Sequence, residues 1–173
     1  FTYVSPVAGA SNVATNLNII FQVQDTGVGV RSNSIFFRTG ATVFLSNGVF
    51  LNGWSGSFLQ TNLGFRILLD PNGPAANLTS YTCVAKARDK TNAAFTSNVW
   101  VFKTADTIAP TNTSIFPVNG AVAVATNALI RVKFSDNLAV ISNGIVVRVA
   151  GATVLSNAVF AAPFTGVSNK IVR

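Results

Sequence analysis

The chain lacks the side chains on which most enzymes rely. Its 173 residues include no histidine, no methionine and a single cysteine, and its five acidic residues are all aspartates. General acid–base catalysis most often uses histidine, glutamate or closely placed aspartates. A Ser-His-Asp triad needs a histidine, and zinc sites need clusters of histidine and cysteine. The sequence therefore predicts a protein that is not an enzyme and that carries no cofactor.

Charged residues are also scarce, since they make up 10% of the chain while apolar residues make up 49%. An average globular protein has about 25% charged residues. This balance supports a buried core and is unlike that of a disordered chain. No apolar run approaches the roughly 20 residues of a membrane-spanning helix, so no membrane span is expected.

An internal repeat is the strongest signal that is present. Residues 6–16 return as residues 117–127 with the shared pattern P-V-x-G-A-x-x-V-A-T-N, and residues 40–50 return as 151–160 with few changes. The period of about 110 residues fits a β-sandwich domain better than a short solenoid unit. The matched part of the second copy covers little more than half of this period.

Alternation of apolar and polar residues indicates that each copy is made of strands. Ile19, Phe21 and Val23 alternate with more polar neighbours, and Ile130 and Val132 occupy the same positions in the second copy. A period of two is typical of a strand with one face on a core. Short apolar runs between Asn-Gly and Pro-Asn-Gly turn signals complete the pattern, which predicts an all-β sandwich.

Three segments follow from the repeat and its spacing. We predict a sandwich repeat over 1–105, a linker over 106–111 that Pro110 stiffens, and the N-terminal part of a second repeat over 112–173. The second repeat would need either further chain or a strand from a neighbouring subunit to cover its apolar face.

Several motifs resemble those of bacterial immunoglobulin-like repeats, which occur in tandem in large extracellular surface and adhesin proteins. They are the repeated pattern above, Q-D-T-G-V-G-V at 24–30, Y-T-C-V-A-K-A-R-D-K-T-N at 81–92 and W-V-F-K-T-A-D-T-I-A-P at 100–110. The family pattern usually has a glycine before the asparagine that ends the third motif, and this chain does not. The resemblance implies tandem immunoglobulin-like β-sandwich domains, an extracellular or cell-surface location and a bacterial or phage source.

Cys83 lies in Tyr81-Thr82-Cys83, which resembles the Tyr-x-Cys pattern of antibody-like domains. In those domains the tyrosine forms a corner and the cysteine bridges the two sheets. That bridge cannot form within a chain that has one cysteine. We expect a buried thiol, and the alternative is a disulfide to another chain.

Two groups of residues are candidates for binding. Asp25, Asp89 and Asp106 would form a calcium site if they converged at one end of a domain, although roles in turns are the alternative. Phe50, Trp54 and Phe58 recur at a spacing of four, which would place them on one face of an extended segment. They would form a platform for a sugar ring if exposed, and part of the core if buried.

The net charge of +7 comes from twelve basic residues spread along the chain. Nucleic-acid binding generally needs such charges clustered in a stripe or groove, so no nucleic-acid partner is predicted. The basic residues are interpreted as solvated strand faces that prevent edge-to-edge pairing. Adhesion to acidic surface polysaccharide is the alternative.

Together these features predict a structural component of an extracellular filament, appendage or surface layer. Its partners would be copies of itself in a polymer, or further repeats of the same chain, with surface glycans as a further candidate. The alternatives are an adhesin or carbohydrate-binding module of a secreted protein and a phage fibre or decoration domain.

Overall fold

The computed structural model describes residues 1–91, 94–162 and 166. The chain divides into two compact units, Phe1–Thr107 and Ile108–Arg173, with the boundary inside the predicted linker 106–111. Antiparallel sheets make up both units, so the prediction of an all-β protein is confirmed. Among the residues described, no helix is long and apolar enough to cross a membrane.

Unit 1 contains two antiparallel sheets. Its described strands are β1 Tyr3–Ser5, β2 Ile19–Gln24, β3 Phe36–Thr39, β4 Thr42–Ser46, β5 Val49–Phe50, β6 Ser55–Thr61, β7 Gly64–Asp70, β8 Ser80–Ala87 and β9 Thr96–Lys103. One sheet has the order β1-β2-β7-β6 and the other the order β5-β4-β3-β8-β9. A short 3-10 helix, Ser32–Ser34, precedes β3.

The core of unit 1 lies between these two sheets, which gives the unit a sandwich-like character. The predicted inward positions of β2 are buried, as are alternate positions of β8. Phe21 of the first sheet contacts Phe37 and Trp100 of the second, with ring centroids 5.8 and 6.3 Å apart. Phe37 and Trp100 are themselves 5.9 Å apart. Three large aromatic rings therefore join the two sheets in the core, and each buries a large apolar area.

The repeated motif at 6–16 moves the chain from one sheet to the other. After β1 pairs with β2, the amide of Gly9 donates to the carbonyl of Val101, and the amide of Lys103 donates to the carbonyl of Ala10, both at 2.8 Å. Val13 forms a parallel bridge with Thr104. The motif thus covers the outer edge of β9, which would otherwise present unpaired backbone groups.

Unit 2 is described as two smaller sheets. Its strands are β10 Thr111–Phe116, β11 Arg131–Ser135, β12 Val147–Val149, β13 Ala152–Ser156 and β14 Val159–Phe160, with a 3-10 helix at Ser142–Gly144. β10 pairs with β11, and the second sheet has the order β12-β13-β14. Apolar positions are more exposed here than in unit 1. Ile130 is 51% exposed, whereas Ile19, its counterpart in the sequence repeat, is 2% exposed.

Candidate functional site

The aromatic residues proposed as a platform do not lie on one extended segment. Phe50 ends β5 in one sheet, whereas Phe58 lies on β6 in the other sheet. Between them, Asn52 and Gly53 have φ values of 54° and 76°, so the chain turns there. The spacing argument was wrong because it assumed a continuous strand through this turn.

The three rings are instead part of the sandwich and pack against its core. Phe50 and Phe58 contact each other with centroids 5.5 Å apart. Trp54 stacks on Phe44 at 3.9 Å and lies 6.2 Å from Phe37. Phe44 therefore covers one face of the indole, and Trp54 is half-buried.

A cavity of about 220 Å³ lies beside Trp54, between the sheets. Phe44, Trp54, Tyr81 and Phe102 line it together with the connection 71–76. Aromatic and apolar groups form most of this lining. Most binding sites contain a few polar groups that orient the ligand, and this lining offers few of them.

The candidate calcium residues lie at two different ends of unit 1. Asp89 follows β8 and Asp106 follows β9, and these strands are antiparallel partners over eight residue pairs. The two carboxylates are therefore separated by on the order of 20 Å along the strands. Asp25, after β2, lies at the same end as Asp89, because the neighbouring Val30 bridges to Asp89. In the described residues, no three acidic, cysteine or histidine side chains form a group able to hold a metal ion.

Each of these aspartates accepts a hydrogen bond in a turn or connection. Asp25 Oδ2 accepts from the amide of Gly29 at 2.7 Å, and Asp89 Oδ1 accepts from the amide of Thr91 at 2.8 Å. Asp106 Oδ1 accepts from the side-chain amide of Asn77 at 3.1 Å. Such bonds are the usual role of aspartate in loops.

Cys83 is buried and forms no disulfide. Burial raises the pKa of its thiol to about 12, because the thiolate would lose its hydration. A thiol in this state is a poor nucleophile and is inaccessible to a partner chain. The structure therefore agrees with the interpretation of Cys83 as a packing residue.

Basic side chains are spread over the faces of unit 1, and several lie over aromatic rings. The guanidinium of Arg88 lies 3.8 Å from the ring centroid of Phe95, and that of Arg66 lies 5.4 Å from Tyr3. At an exposed site such as that of Arg66, a contact of this kind contributes roughly 0.5–1 kcal/mol. The ring contacts give Arg88 and Arg66 a structural role that their spacing in the sequence did not indicate.

Three connections meet at the end of unit 1 where β2 and β8 finish: residues 25–31, the turn 62–63 and residues 88–91. The amide of Asp25 donates to the carbonyl of Leu63 at 2.8 Å. The amide of Lys90 donates to the carbonyl of Gly29 at 3.0 Å, and the amide of Arg31 donates to that of Arg88 at 2.9 Å. Backbone hydrogen bonds therefore hold the three connections together.

A cavity of about 250 Å³, here called the loop-end cavity, opens between these connections. Its lining consists of residues 29–32, residues 60–65 and Lys90. Two cations, Arg31 and Lys90, belong to this lining. Sequence reasoning missed the site, because its parts come from segments about 30 residues apart.

Comparison with protein-family models, with curated proteins and with solved structures found no match to this chain.

Proposed function

We propose that this chain is a non-catalytic structural protein, part of an extracellular filament, appendage or surface layer built from tandem immunoglobulin-like repeats. The strand order of unit 1 supports the immunoglobulin-like part of this proposal. Variable-type immunoglobulin domains pair strands A-B-E-D in one sheet and add C′ and C″ to the G-F-C sheet. Naming β1 to β9 in chain order as A, B, C, C′, C″, D, E, F and G reproduces both sheets.

Tyr81 provides a second, independent support. In these domains a tyrosine two residues before the cysteine of strand F forms a hydrogen bond to the backbone a few residues upstream. Tyr81 stands two residues before Cys83 on β8, and its hydroxyl bonds to the amide of Ala76. Phe21 of β2 packs in the centre of the core, in the strand that would supply the partner cysteine.

The proposal that the protein forms a polymer rests on the difference in burial between equivalent apolar positions of the two units. Both have the order strand, strand, 3-10 helix, then three short strands, and their sequences repeat in the same phase. Ile130, just before β11, is 51% exposed whereas its counterpart Ile19 is 2% exposed, and the next two apolar positions are half-buried in β11 but buried in β2. An apolar face that is exposed in this way usually packs against further protein. That protein is either more of the same chain or a neighbouring copy.

Electron microscopy of the purified native protein tests the proposal. We expect ordered filaments or sheets with a regular subunit spacing, and dispersed monomers would contradict the polymer. Ile130→Asp should then abolish or shorten the polymers, since it places a charge on the exposed apolar face of unit 2. Val99→Asp is the matched control, because Val99 is 59% exposed but lies on β9 of unit 1. Equal effects of the two substitutions would contradict a role for the face of unit 2.

A further inference from the structure

The lining of the loop-end cavity contains two cations, and two aspartates lie in the connections that surround it. Arg31 and Lys90 are the cations, and none of the described lining residues is acidic. The two aspartates of the neighbouring connections accept backbone N–H groups of Gly29 and Thr91. A guanidinium fork matches a carboxylate in a bidentate manner, and a lysine adds a point charge.

A backbone hydrogen bond holds the Arg31 side chain, and the ammonium group of Lys90 lies close to Gly29. One N–H of the Arg31 guanidinium donates to the carbonyl of Lys90 at 3.2 Å. A guanidinium has five N–H donors, so further donors remain for a ligand. The Nζ of Lys90 lies over Gly29, where a Cβ would stand 3.6 Å from it. Gly29 has a φ of +84°, a conformation that glycine adopts without strain.

Polar groups that suit hydroxyl-rich ligands complete the lining. Ser32, Gln60 and Asn62 supply a hydroxyl and two amides, which donate and accept hydrogen bonds. These three residues are exposed, so their polar groups are available to the ring hydroxyls of a ligand.

The cavity is partly open to solvent, so its volume sets the size of the group that it can enclose and does not set the length of the whole ligand. Its volume of about 250 Å³ corresponds to about eight water molecules at roughly 30 Å³ each. Pockets for larger organic ligands usually have about 300–1,000 Å³. One sugar ring is therefore a better match for the enclosed group than a larger unit.

We propose that the loop-end cavity binds a carboxylate-bearing sugar unit, such as a uronic acid of an acidic polysaccharide. Arg31 and Lys90 hold the carboxylate, and the amides and hydroxyls of the lining bind the ring hydroxyls. The hydrogen bonds among the three connections keep the site formed without ligand, which lowers the entropic cost of binding. The site lies within unit 1 and does not depend on polymer formation.

Titration of the full chain with glucuronate at low salt, followed by NMR of the backbone amides, tests the proposal. We expect shifts at Gly29, Arg31, Asn62 and Lys90, and weaker binding at high salt, where charges are screened. Glucose and acetate are the comparison probes. Glucose has the ring hydroxyls but no carboxylate, and acetate has a carboxylate but no sugar ring. Glucuronate should bind roughly tenfold or more tightly than either, as expected for loss of one charge-assisted bond. Binding no tighter than acetate, or shifts confined to other regions, would overturn the proposal.

Single substitutions then identify the residues involved. Arg31→Gln and Lys90→Gln should each weaken glucuronate binding by roughly tenfold. Lys103→Gln is the matched control, since it removes an exposed cation at the opposite end of β9 and should leave the affinity unchanged. Unchanged affinity in both cavity variants would overturn the proposal. None of these variants should alter the polymers that the proposed function predicts, so failure of the binding test is distinguishable from failure of the structural role.

Discussion

The hydroxyl of Tyr81 accepts a hydrogen bond from the backbone amide of Ala76 at 2.8 Å, while its ring stacks on Phe102 with centroids 5.4 Å apart. Tyr81 lies near the start of β8, and Ala76 belongs to the connection from β7. One side chain therefore fixes the point at which the chain crosses from the first sheet to the second.

Tyr81→Phe should lower the free energy of unfolding by about 1 kcal/mol, because the ring contact stays while the amide of Ala76 loses its acceptor. Equilibrium unfolding in urea measures this change. Tyr3→Phe is the control, since Tyr3 is 44% exposed on the short edge strand β1. A loss of the same size in both variants would contradict a specific role for the Tyr81 hydroxyl.

Two threonines of unit 1 should respond differently to the same substitution. Thr104 is 1% exposed, and its hydroxyl donates to the carbonyl of Ala76 at 2.7 Å and accepts from the amide of Thr79 at 2.8 Å. Thr104→Val leaves both backbone groups without this partner and should cost about 1–3 kcal/mol of stability. The buried hydroxyl of Thr61 has no partner in the described residues, so Thr61→Val should be neutral or stabilising.

Thermal or urea unfolding of the two valine variants, measured without ligand, checks this pair. Valine keeps nearly the shape of threonine, so packing changes little and the comparison isolates the hydroxyl. A loss of stability at position 61 as large as that at position 104 would contradict the assignment of hydrogen bonds.

The strands of unit 1 that bury one face were predictable from sequence. In β2 every second residue is buried in the core, namely Ile19, Phe21 and Val23. Apolar residues therefore recur with a period of two in the sequence. β6 was not predicted, because this edge strand is polar and largely exposed and leaves no such pattern. Parallel pairing of the repeated motif with β9 also left no periodic signal, since only backbone atoms form it.

The candidate sites were less predictable than the fold. The spacing of Phe50, Trp54 and Phe58 suggested one face, but a turn with left-handed residues sends the chain to the other sheet. Arg31 and Lys90 meet only because hydrogen bonds join their connections, and 59 positions separate them in sequence. No spacing rule covers residues that tertiary structure alone brings together.

Cys83 provides a test of burial through its ionisation. Its pKa is raised from 9.0 to about 12, so the folded protein keeps the thiol proton at a pH where the unfolded chain releases it. The native thiol should react with iodoacetamide far more slowly at pH 8 than the thiol of the urea-unfolded chain. Rapid labelling of the native protein would contradict the buried position.

The same shift has a consequence for stability at alkaline pH. The contribution of the protonated thiol is fully present below about pH 9 and is lost as the pH rises towards 12, because only the unfolded state then loses its proton. The loss is at most about 1.4 kcal/mol for each pH unit in that window. The measured quantity is the difference in unfolding free energy between wild type and Cys83→Ala, because this difference isolates the effect of the thiol. We expect that difference to change in favour of the alanine variant above pH 9, whereas a constant difference up to pH 11 would show that the thiol ionises equally in both states.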